Sequence, residues 1–368
     1  MRKRLCFVIP DFLTEEKSNT LDYCRKLIIK LAHVYEVKIL TTSCCDITSE
    51  EIIKDSVWNT IPVKSFSVLK NILVSDDNSV SAKTVDFSPE LVSFLTSSYD
   101  EFELFVFAFC CSYICINGLP VVSNKALLIP FTNDKMSVSH TELERIFNLP
   151  LGIIYTNEEE MSFIQMNFHN KAVSNIVAPM WQDVQNINAL NEKYYRKPCQ
   201  CPYVVCLADN ICDCEMQRLI ELFNAFNKNR NEKIILIFIG KSSAESDNGE
   251  FIFFNTDNEE EKLFVISSSV ALIEPSFCEG IPIEVLKAFS CKKPVLVNGN
   301  NRIMKSLCLQ CNGGLYYFGE TDFIECLTII VDRNDIAVKM GENGFDYVKE
   351  NNDEKTVISK ITDFINKI

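Results

Sequence analysis

The segment from Glu274 to Val297, EPSFCEGIPIEVLKAFSCKKPVLV, carries two charged residues, Glu279 and Lys287, that could take part in ligand chemistry. A carboxylate such as that of Glu279 accepts hydrogen bonds, for example from sugar hydroxyls, whereas a lysine only donates them. Backbone N–H groups at a helix N-terminus favour an anion such as a diphosphate, by roughly 0.3–1 kcal/mol per exposed contact. These residue types fit a site for an anionic, hydroxyl-rich ligand. They also fit an ordinary crossover in which Glu279 caps the helix.

The elements that would position these residues can be predicted from the same part of the chain. Val270–Ile273 is a short apolar run typical of a buried parallel strand, and Gly280 marks the loop after it. Pro282 suits a first helical turn, because a missing N–H costs nothing there. The apolar residues that follow share one helix face and are Ile283, Leu286, Ala288 and Phe289. Pro294 then leads into the strand Val295–Val297, so the segment predicts a strand, a loop, a helix and a strand.

Length and charge limit the class of protein. The 368 residues are enough for two domains, each with its own core. A net charge of -14 argues against nucleic acid as a partner, because nucleic acid is bound by basic surfaces. The apolar stretch Leu5–Ile9 is too short for a signal peptide and ends at Pro10, so we expect a cytoplasmic protein. Basic residues in a helix near Asn19–His33 allow at most peripheral contact with the inner face of a membrane.

Cysteine and histidine patterns give little reason to expect a metal. The 17 cysteines lack the regular frame of a small disulfide-bonded domain, which favours reduced, buried thiols. One group clusters near the middle of the chain and contains Cys199, Cys201, Cys206, Cys212 and Cys214. Its Cys-x-Cys spacing is shorter than that of a zinc ribbon, and the histidines, His33, His140 and His169, are widely separated. We therefore expect no metal and no other cofactor.

Strand-like and helical patterns alternate along most of the chain. Strands are predicted at Leu5–Ile9, Val37–Leu40, Leu104–Phe109, Ala126–Ile129, Gly152–Tyr155, Tyr203–Leu207, Ile234–Ile239 and Phe251–Phe254. Helices are predicted at Pro89–Ser97, His140–Phe147, Glu158–Phe168, Glu215–Lys228 and Glu259–Val265. This alternation predicts an α/β fold with parallel sheets that are covered on both faces.

A polar, irregular span separates two such runs and predicts a domain boundary. We place the first domain at 1–178, the linker at 179–201, the second domain at 202–350 and an amphipathic terminal helix at 351–368. Each domain would be Rossmann-like, but neither is predicted to bind a nicotinamide dinucleotide. Such a domain needs G-x-G-x-x-G after its first strand, where this chain has DFLTEEKSN and ADNICDC.

The segment EPSFCEGIPIEVLKAFSCKKPVLV resembles the donor-site motif of family-4 glycosyltransferases of the GT-B fold, whose usual form is PSxxEGFxxxxLEAxAxGxPV. Further stretches resemble segments of a bacterial branch of that family in the same order, and they are EVKILTTSCCD, KALLIPFTNDK, GIIYTNEEE, CNGGLYYFGETDF and MGENGFDYVKENN. The resemblance extends along most of the chain. It implies the GT-B fold, with two Rossmann-like domains whose parallel sheets face a central cleft, and a terminal helix that packs back on the first domain.

The resemblance also implies an activity and a set of site residues. It implies transfer of a sugar, with retention, from a nucleotide-diphosphate donor on the second domain to an acceptor hydroxyl on the first, without a metal. The acceptor would be a glycan or a lipid-linked sugar. A second transferase is a candidate protein partner. The implied catalytic residues are Asn133, Asp134 and Glu279, and the implied donor-binding residues are Lys241, Gly280, Ile281, Pro282, Ile283 and Lys287.

The chain departs from the family pattern at four places. Lys287 stands where a second glutamate usually binds the nucleotide ribose, and Asn133 stands where the related branch has a histidine. The turn at Ala208 and Asp209 replaces a basic turn near the diphosphate. The loop Thr14–Asn19 replaces a Gly-rich loop that lets backbone approach the donor.

These departures leave two other functions open. A noncatalytic GT-B homologue could act as a partner subunit or a glycan-binding protein. A GT-B sugar-nucleotide epimerase would need acid–base groups facing the sugar, and Glu279 and Asp134 are the candidates that the sequence offers.

Overall fold

The structure is a computed structural model of a single chain. It describes residues 2–14, 18–43, 53–73, 83–132, 138–181, 195, 197–228, 230–240, 251–277 and 283–368. The chain divides into two compact units. The first unit comprises Met1–Pro179 together with Ile358–Ile368, and the second unit comprises Met180–Val357.

The first unit is built on a mainly parallel sheet. Its strands are β1 (Arg4–Ile9), β2 (Glu36–Ser43), β3 (Ile53–Trp58), β4 (Ile61–Ser67), β7 (Leu104–Ala108), β8 (Ala126–Ile129), β9 (Gly152–Tyr155) and β10 (Ser174–Val177). Within the described residues they lie in the order β10-β9-β8-β7-β1-β2-β4-β3. All neighbours pair in parallel except β3 and β4, which form an antiparallel hairpin at one edge. A separate hairpin joins β5 (Leu69–Leu73) to β6 (Lys83–Phe87).

Helices pack against this sheet and bury its central strands. They are α1 (Asn19–Ala32), α2 (Pro89–Ser97), α3 (Tyr113–Gly118), α4 (His140–Asn148) and α5 (Glu158–Phe168). Every residue of β7 and β8 is buried, as expected for parallel strands that are covered on both faces. Aromatic side chains contribute to the core of this unit, and Phe105, Phe107 and Phe147 are fully buried.

The last helix, α12 (Glu354–Lys367), contributes its C-terminal part to the first unit. Lys3 Nζ donates a hydrogen bond to the backbone oxygen of Ile365 at 2.9 Å. The helix end also lies very close to Gly152, where a Cβ atom would stand 2.7 Å from the ring of Phe364. A residue without a side chain at the start of β9 therefore permits this close packing.

The second unit has its own parallel sheet. Its strands are β11 (Tyr203–Leu207), β12 (Ile235–Ile239), β13 (Phe251–Phe254), β14 (Leu272–Glu274), β15 (Val295–Asn298) and β16 (Gly314–Tyr317). In the described part of the chain they follow the order β13-β12-β11-β14-β15-β16, with every pairing parallel. The strand order reverses beside β11, and the crevice at such a point is where open α/β sheets bind their ligands.

The helices of the second unit bury one apolar core on each face of the sheet. They are α6 (Asp213–Asn227), α7 (Glu259–Ser268), α8 (Ile283–Ser290), α9 (Arg302–Cys311), α10 (Glu320–Asp332) and α11 (Asn334–Asn351). Helix α11 approaches the end of α8 so closely that a Cβ atom at Gly341 would overlap with the backbone oxygen of Lys292. The two glycines Gly341 and Gly344 therefore let α11 dock.

The predicted α/β class is confirmed, and most predicted elements are present. Strands β8, β9, β11 and β13 and helices α2 and α5 have the predicted bounds. The strand predicted at Val270–Ile273 instead runs from Leu272 to Glu274. The antiparallel β3–β4 hairpin was not predicted. Most of the predicted linker lies outside the described residues.

None of the helices in the described ranges combines the length and the apolar character needed to cross a membrane.

Candidate functional site

Most of the predicted site residues lie outside the described residues. They are Asn133, Asp134, Lys241, Glu279, Gly280, Ile281 and Pro282, and their assignment stays a prediction. Ile283 and Lys287 are described and lie in α8. The buried residues Leu286, Ala288 and Phe289 form the apolar face of this helix, as predicted.

The carboxyl edge of the second sheet brings polar residues together. Asp209 follows β11 in a short 3-10 helix, Gly240 follows β12, and Glu259 begins α7 after β13. Gly240 has φ of 132°, a conformation that side chains disfavour, and a Cβ atom there would overlap with Asp209 Oδ1. Glycine at this position therefore lets the carboxylate of Asp209 sit directly against the end of β12.

Four charged residues form a chain of ion pairs near this edge, which we call the Lys262 network: Asp209, Glu259, Lys262 and Lys287. Lys262 Nζ lies 2.6 Å from Asp209 Oδ2 and 3.4 Å from Glu259 Oε1. Lys287 Nζ lies 2.8 Å from the other carboxylate oxygen of Glu259, Oε2. Because charges alternate along the chain of ion pairs, each lysine has a carboxylate within contact distance.

Burial and charge act in opposite directions on the Lys262 network. Burial lowers the pKa of Lys262, but the hydrogen bond from Lys262 to Asp209 and the charge of Glu259 outweigh it, so the pKa is raised overall. Burial raises the pKa of Glu259, but Lys287 and Lys262 outweigh it and the pKa is lowered overall. Both groups are therefore charged at neutral pH, and the partners of Lys262, whose side chain is only 7% exposed, hold it in place.

Three buried glutamates, Glu215, Glu274 and Glu284, lie behind the same edge. Burial and the charge of Glu284 raise the pKa of Glu274 to about 8, so Glu274 is mostly protonated at neutral pH. Its Oε1 accepts a hydrogen bond from the backbone N–H of Ser276 at 3.1 Å. Glu274 therefore shapes the start of the loop that leads to Glu279.

Glu215 connects two loops of the second unit. Its Oε2 accepts a hydrogen bond from the backbone N–H of Cys212 at 2.9 Å, in the capping box that begins α6. Its Oε1 accepts one from the backbone N–H of Phe277 at 3.2 Å. The turn before α6 and the loop after β14 are thereby joined through one carboxylate.

A buried carboxylate has a similar role in the first unit. Glu160 Oε1 accepts hydrogen bonds from the backbone N–H and hydroxyl of Thr132, at 2.8 and 3.0 Å. Its Oε2 accepts hydrogen bonds from the same two groups of Thr156, at 2.8 and 3.0 Å. Burial raises the pKa of Glu160, although these hydrogen bonds oppose the shift. Thr132 directly precedes Asn133, so Glu160 anchors the residue before the predicted catalytic pair.

The loop after β1 is held by an arginine of α1. Arg25 Nη2 donates to the backbone oxygen of Phe12 at 2.7 Å and to that of Thr14 at 2.6 Å. The backbone N–H of Phe12 donates to Thr41 Oγ1 at 2.9 Å. Arg25 therefore positions the start of the Thr14–Asn19 loop. It is one of the basic residues for which the sequence allowed contact with a membrane surface.

Sequence reasoning missed Glu160, Glu215 and Glu259 as positioning groups. Glu160 and Glu259 stand in runs of glutamates at helix starts, EEE at 158–160 and 259–261, which read as favourable first-turn charges. The pattern cannot show which member of a run is buried, as Glu160 is, or which meets a lysine, as Glu259 does. No group of three or more His, Cys, Asp or Glu residues in the described ranges is arranged to hold a metal ion.

Sequence comparison and structural comparison give different results. No family model matches the sequence, and a search of curated proteins finds no match. Solved structures do match. Sucrose-phosphate synthase from Thermosynechococcus elongatus has a TM-score of 0.68 at 12% identity, covering 100% of this chain and 99% of that one. Anabaena HepE in complex with UDP and glucose has a TM-score of 0.67 at 12% identity, covering 100% of both chains.

WaaG, a glycosyltransferase involved in lipopolysaccharide biosynthesis, is similar to this chain with a TM-score of 0.64 at 11% identity, covering 98% of this chain and 99% of that one. These matches extend over both units. The chain therefore has the GT-B fold, and the resemblance to GT-B glycosyltransferases is confirmed at the level of fold.

Proposed function

We propose that this protein is a retaining glycosyltransferase, which moves a sugar from a nucleotide-diphosphate donor to an acceptor hydroxyl. The acceptor is a glycan or a lipid-linked sugar in the synthesis of a surface polysaccharide or glycoconjugate. The protein acts in the cytoplasm, with at most peripheral contact with the membrane. The observation that carries the proposal is the GT-B fold along the whole chain, shared with proteins whose structures contain UDP and glucose.

Features of the second unit support a donor site at its carboxyl edge. Ligands of open parallel sheets bind beyond the carboxyl ends of the strands, where Asp209, Gly240 and the Lys262 network lie. Helix α8 follows the motif segment in the sequence, and its first N–H groups would stabilise the departing diphosphate. Glu279 would accept hydrogen bonds from the donor sugar, and Asn133 and Asp134 would be the other catalytic residues.

A second candidate function is a noncatalytic GT-B protein that binds a partner transferase or a glycan. One observation favours it specifically. The ammonium groups of Lys262 and Lys287, which could replace the missing basic residues near the diphosphate, are already paired with Asp209 and Glu259. Cations that are neutralised in this way attract a diphosphate less strongly.

The first test measures donor use by the whole chain. Purified protein is incubated with UDP-glucose, UDP-galactose, UDP-N-acetylglucosamine and GDP-mannose, with simple glycosides as acceptors. We expect one donor to raise the melting temperature and to release its nucleoside diphosphate. Product NMR should show the anomeric configuration of the donor, because the proposal specifies retention. An inverted product would overturn retention, and a donor converted to its epimer would indicate an epimerase.

The variant Glu279→Gln provides the matched test of the motif. Because the amide keeps the shape but loses the charge and one acceptor oxygen, we expect turnover to fall by about tenfold or more with the fold intact. Glu158→Gln, at an exposed position of α5, is the control and should keep full activity. If no donor binds or turns over, and the protein copurifies stably with another transferase, the noncatalytic function replaces the proposal.

A further inference from the structure

Two exposed cysteines at the start of α6 stand in direct contact. Cys212 Sγ and Cys214 Sγ are 2.6 Å apart, closer than two thiols that merely pack together. The other described Cys-x-Cys pair behaves differently, since Cys199 Sγ donates to the backbone oxygen of Cys201 at 3.4 Å. The same spacing in the sequence therefore gives two geometries, and in one of them the sulfur atoms converge.

We propose that Cys212 and Cys214 are a redox modification site, at which a small-molecule disulfide oxidises the two thiols to an intrachain disulfide. One thiolate attacks a sulfur of the reagent, forms a mixed disulfide and releases one thiol. The second cysteine, as a thiolate, then attacks the protein sulfur of the mixed disulfide and releases the second thiol. The protein loses two electrons and two protons, and the reagent gains them as two thiols.

Exposure and direct contact together distinguish this pair, because Cys201 is also exposed but its backbone oxygen, not its sulfur, contacts Cys199 Sγ. Most other described cysteines are buried: Cys6, Cys24, Cys110, Cys115, Cys206, Cys291, Cys308 and Cys311. Burial keeps these eight thiols away from a dissolved oxidant. Cys212 and Cys214 are both exposed to a dissolved oxidant, and each has the other as its resolving thiol.

The site is connected to the motif loop through Glu215. The backbone N–H of Cys212 and that of Phe277 donate to the two oxygens of the same carboxylate. Closing a disulfide at residues 212 and 214 changes the turn that presents the Cys212 N–H. We expect this change to alter the hydrogen bonds of the Glu215 carboxylate, including its support of Phe277, which precedes the segment containing Glu279. This consequence for donor binding rests on the proposed function, whereas formation of the disulfide does not.

The first experiment tests the modification alone. The whole chain is equilibrated with glutathione at graded ratios of its reduced and oxidised forms, alkylated, and analysed by mass spectrometry. Trypsin would leave both Cys-x-Cys pairs on one peptide, because no Lys or Arg lies between Cys199 and Cys214. Chymotrypsin separates them by cleaving after Tyr203 and Leu207. We expect the peptide with Cys212 and Cys214 to lose two hydrogens and escape alkylation while Cys199 and Cys201 remain alkylated.

Two results would overturn the modification site. One is complete alkylation of Cys212 and Cys214 in oxidised glutathione. The other is oxidation of both Cys-x-Cys pairs at the same ratio, which would show that the contact between the two sulfur atoms confers no selectivity. The double variant C212S/C214S should lose the two-hydrogen signal, and C199S/C201S should keep it.

The second experiment tests the connection to the donor site. Dissociation constants for the nucleotide sugar that binds best are measured for the reduced and the oxidised protein. We expect oxidation to change the constant by about two- to tenfold, as for the loss of one loop hydrogen bond. The variant C212S/C214S should not respond to oxidant, and C199S/C201S should respond like the unaltered protein. An equal response in C212S/C214S would overturn the connection, while absence of any donor binding would overturn the proposed function and leave the disulfide standing.

Discussion

Lys287 Nζ lies 2.8 Å from Glu259 Oε2, so the residue that departs most clearly from the donor motif has a carboxylate partner on the neighbouring helix α7. The sequence placed a cation where the resemblance implies an anion. The structure shows that an anion is present nearby, but on a different element. Glu259 therefore balances the positive charge of Lys287.

We expect this ion pair to contribute modestly to stability. The Glu259 side chain is 59% exposed, so solvent screens the pair. A double-mutant cycle with Lys287→Ala and Glu259→Ala should give a coupling energy of about 0.2–1 kcal/mol in the free energy of unfolding. Denaturation in urea measures it. The exposed pair Arg218–Glu221 provides the control cycle and should couple more weakly. A coupling of zero at Lys287 and Glu259 would show that the pair makes no contribution to stability.

Glu160 should be far more sensitive to substitution. Its carboxylate accepts four hydrogen bonds from Thr132 and Thr156 while nearly fully buried. Glu160→Gln replaces one acceptor oxygen with a donor, so we expect a loss of about 1–3 kcal/mol in the free energy of unfolding. Glu158→Gln, in the exposed first turn of the same helix, should change it by less than about 0.5 kcal/mol. Similar values for the two variants in urea denaturation would contradict the buried role of Glu160.

The raised pKa of Glu274 predicts that the stability of the fold depends on pH. Its pKa is raised from 4.5 to about 8, by burial and by the charge of Glu284, so the folded state keeps a proton that the unfolded chain releases. This carboxyl therefore stabilises the fold most at acidic pH, and its contribution is lost as pH rises from about 4.5 to about 8. Glu274→Gln mimics the protonated form and should flatten that decline. Urea denaturation across this pH range, with the exposed variant Glu350→Gln as control, measures the slopes. An unchanged slope in Glu274→Gln would assign the titration to another group.

The contact of α11 with the end of α8 provides a test of packing. A Cβ atom at Gly341 would overlap with the backbone oxygen of Lys292, which cannot move like a flexible side chain. We expect Gly341→Ala to lower the free energy of unfolding by about 1–3 kcal/mol despite the better helix propensity of alanine. A Cβ atom at Gly319 would have no atom within 4 Å, so Gly319→Ala is the matched control and should be nearly neutral. Thermal unfolding distinguishes the two, and a stable Gly341→Ala would mean that the helices sit farther apart.

Strands of the central sheets were the easiest elements to predict. Tyr203–Leu207 and Ala126–Ile129 are continuous apolar runs, and both are buried strands with the predicted bounds. Edge elements were harder. β3 has an exposed or half-exposed face along its whole length, so its sequence, IKDSVW, lacks the apolar run that marks a buried strand. The candidate site shows the same difference between buried and exposed residues. The buried apolar face of α8 was predicted, whereas the ion-pair partner of Lys287 was not.

The sequence by itself determined the α/β class and most of the buried strands, because apolar periodicity depends on neighbours only a few residues away. Only the tertiary structure decided which charges meet. Lys262 pairs with Asp209 across a separation of 53 residues, and Lys287 pairs with Glu259 across 28. Glu160 likewise anchors Thr132 from 28 residues away. Such pairs form where the folded sheets bring the ends of distant strands and helices to one edge. The pattern of residues along the chain does not show which of these distant residues come close together in space.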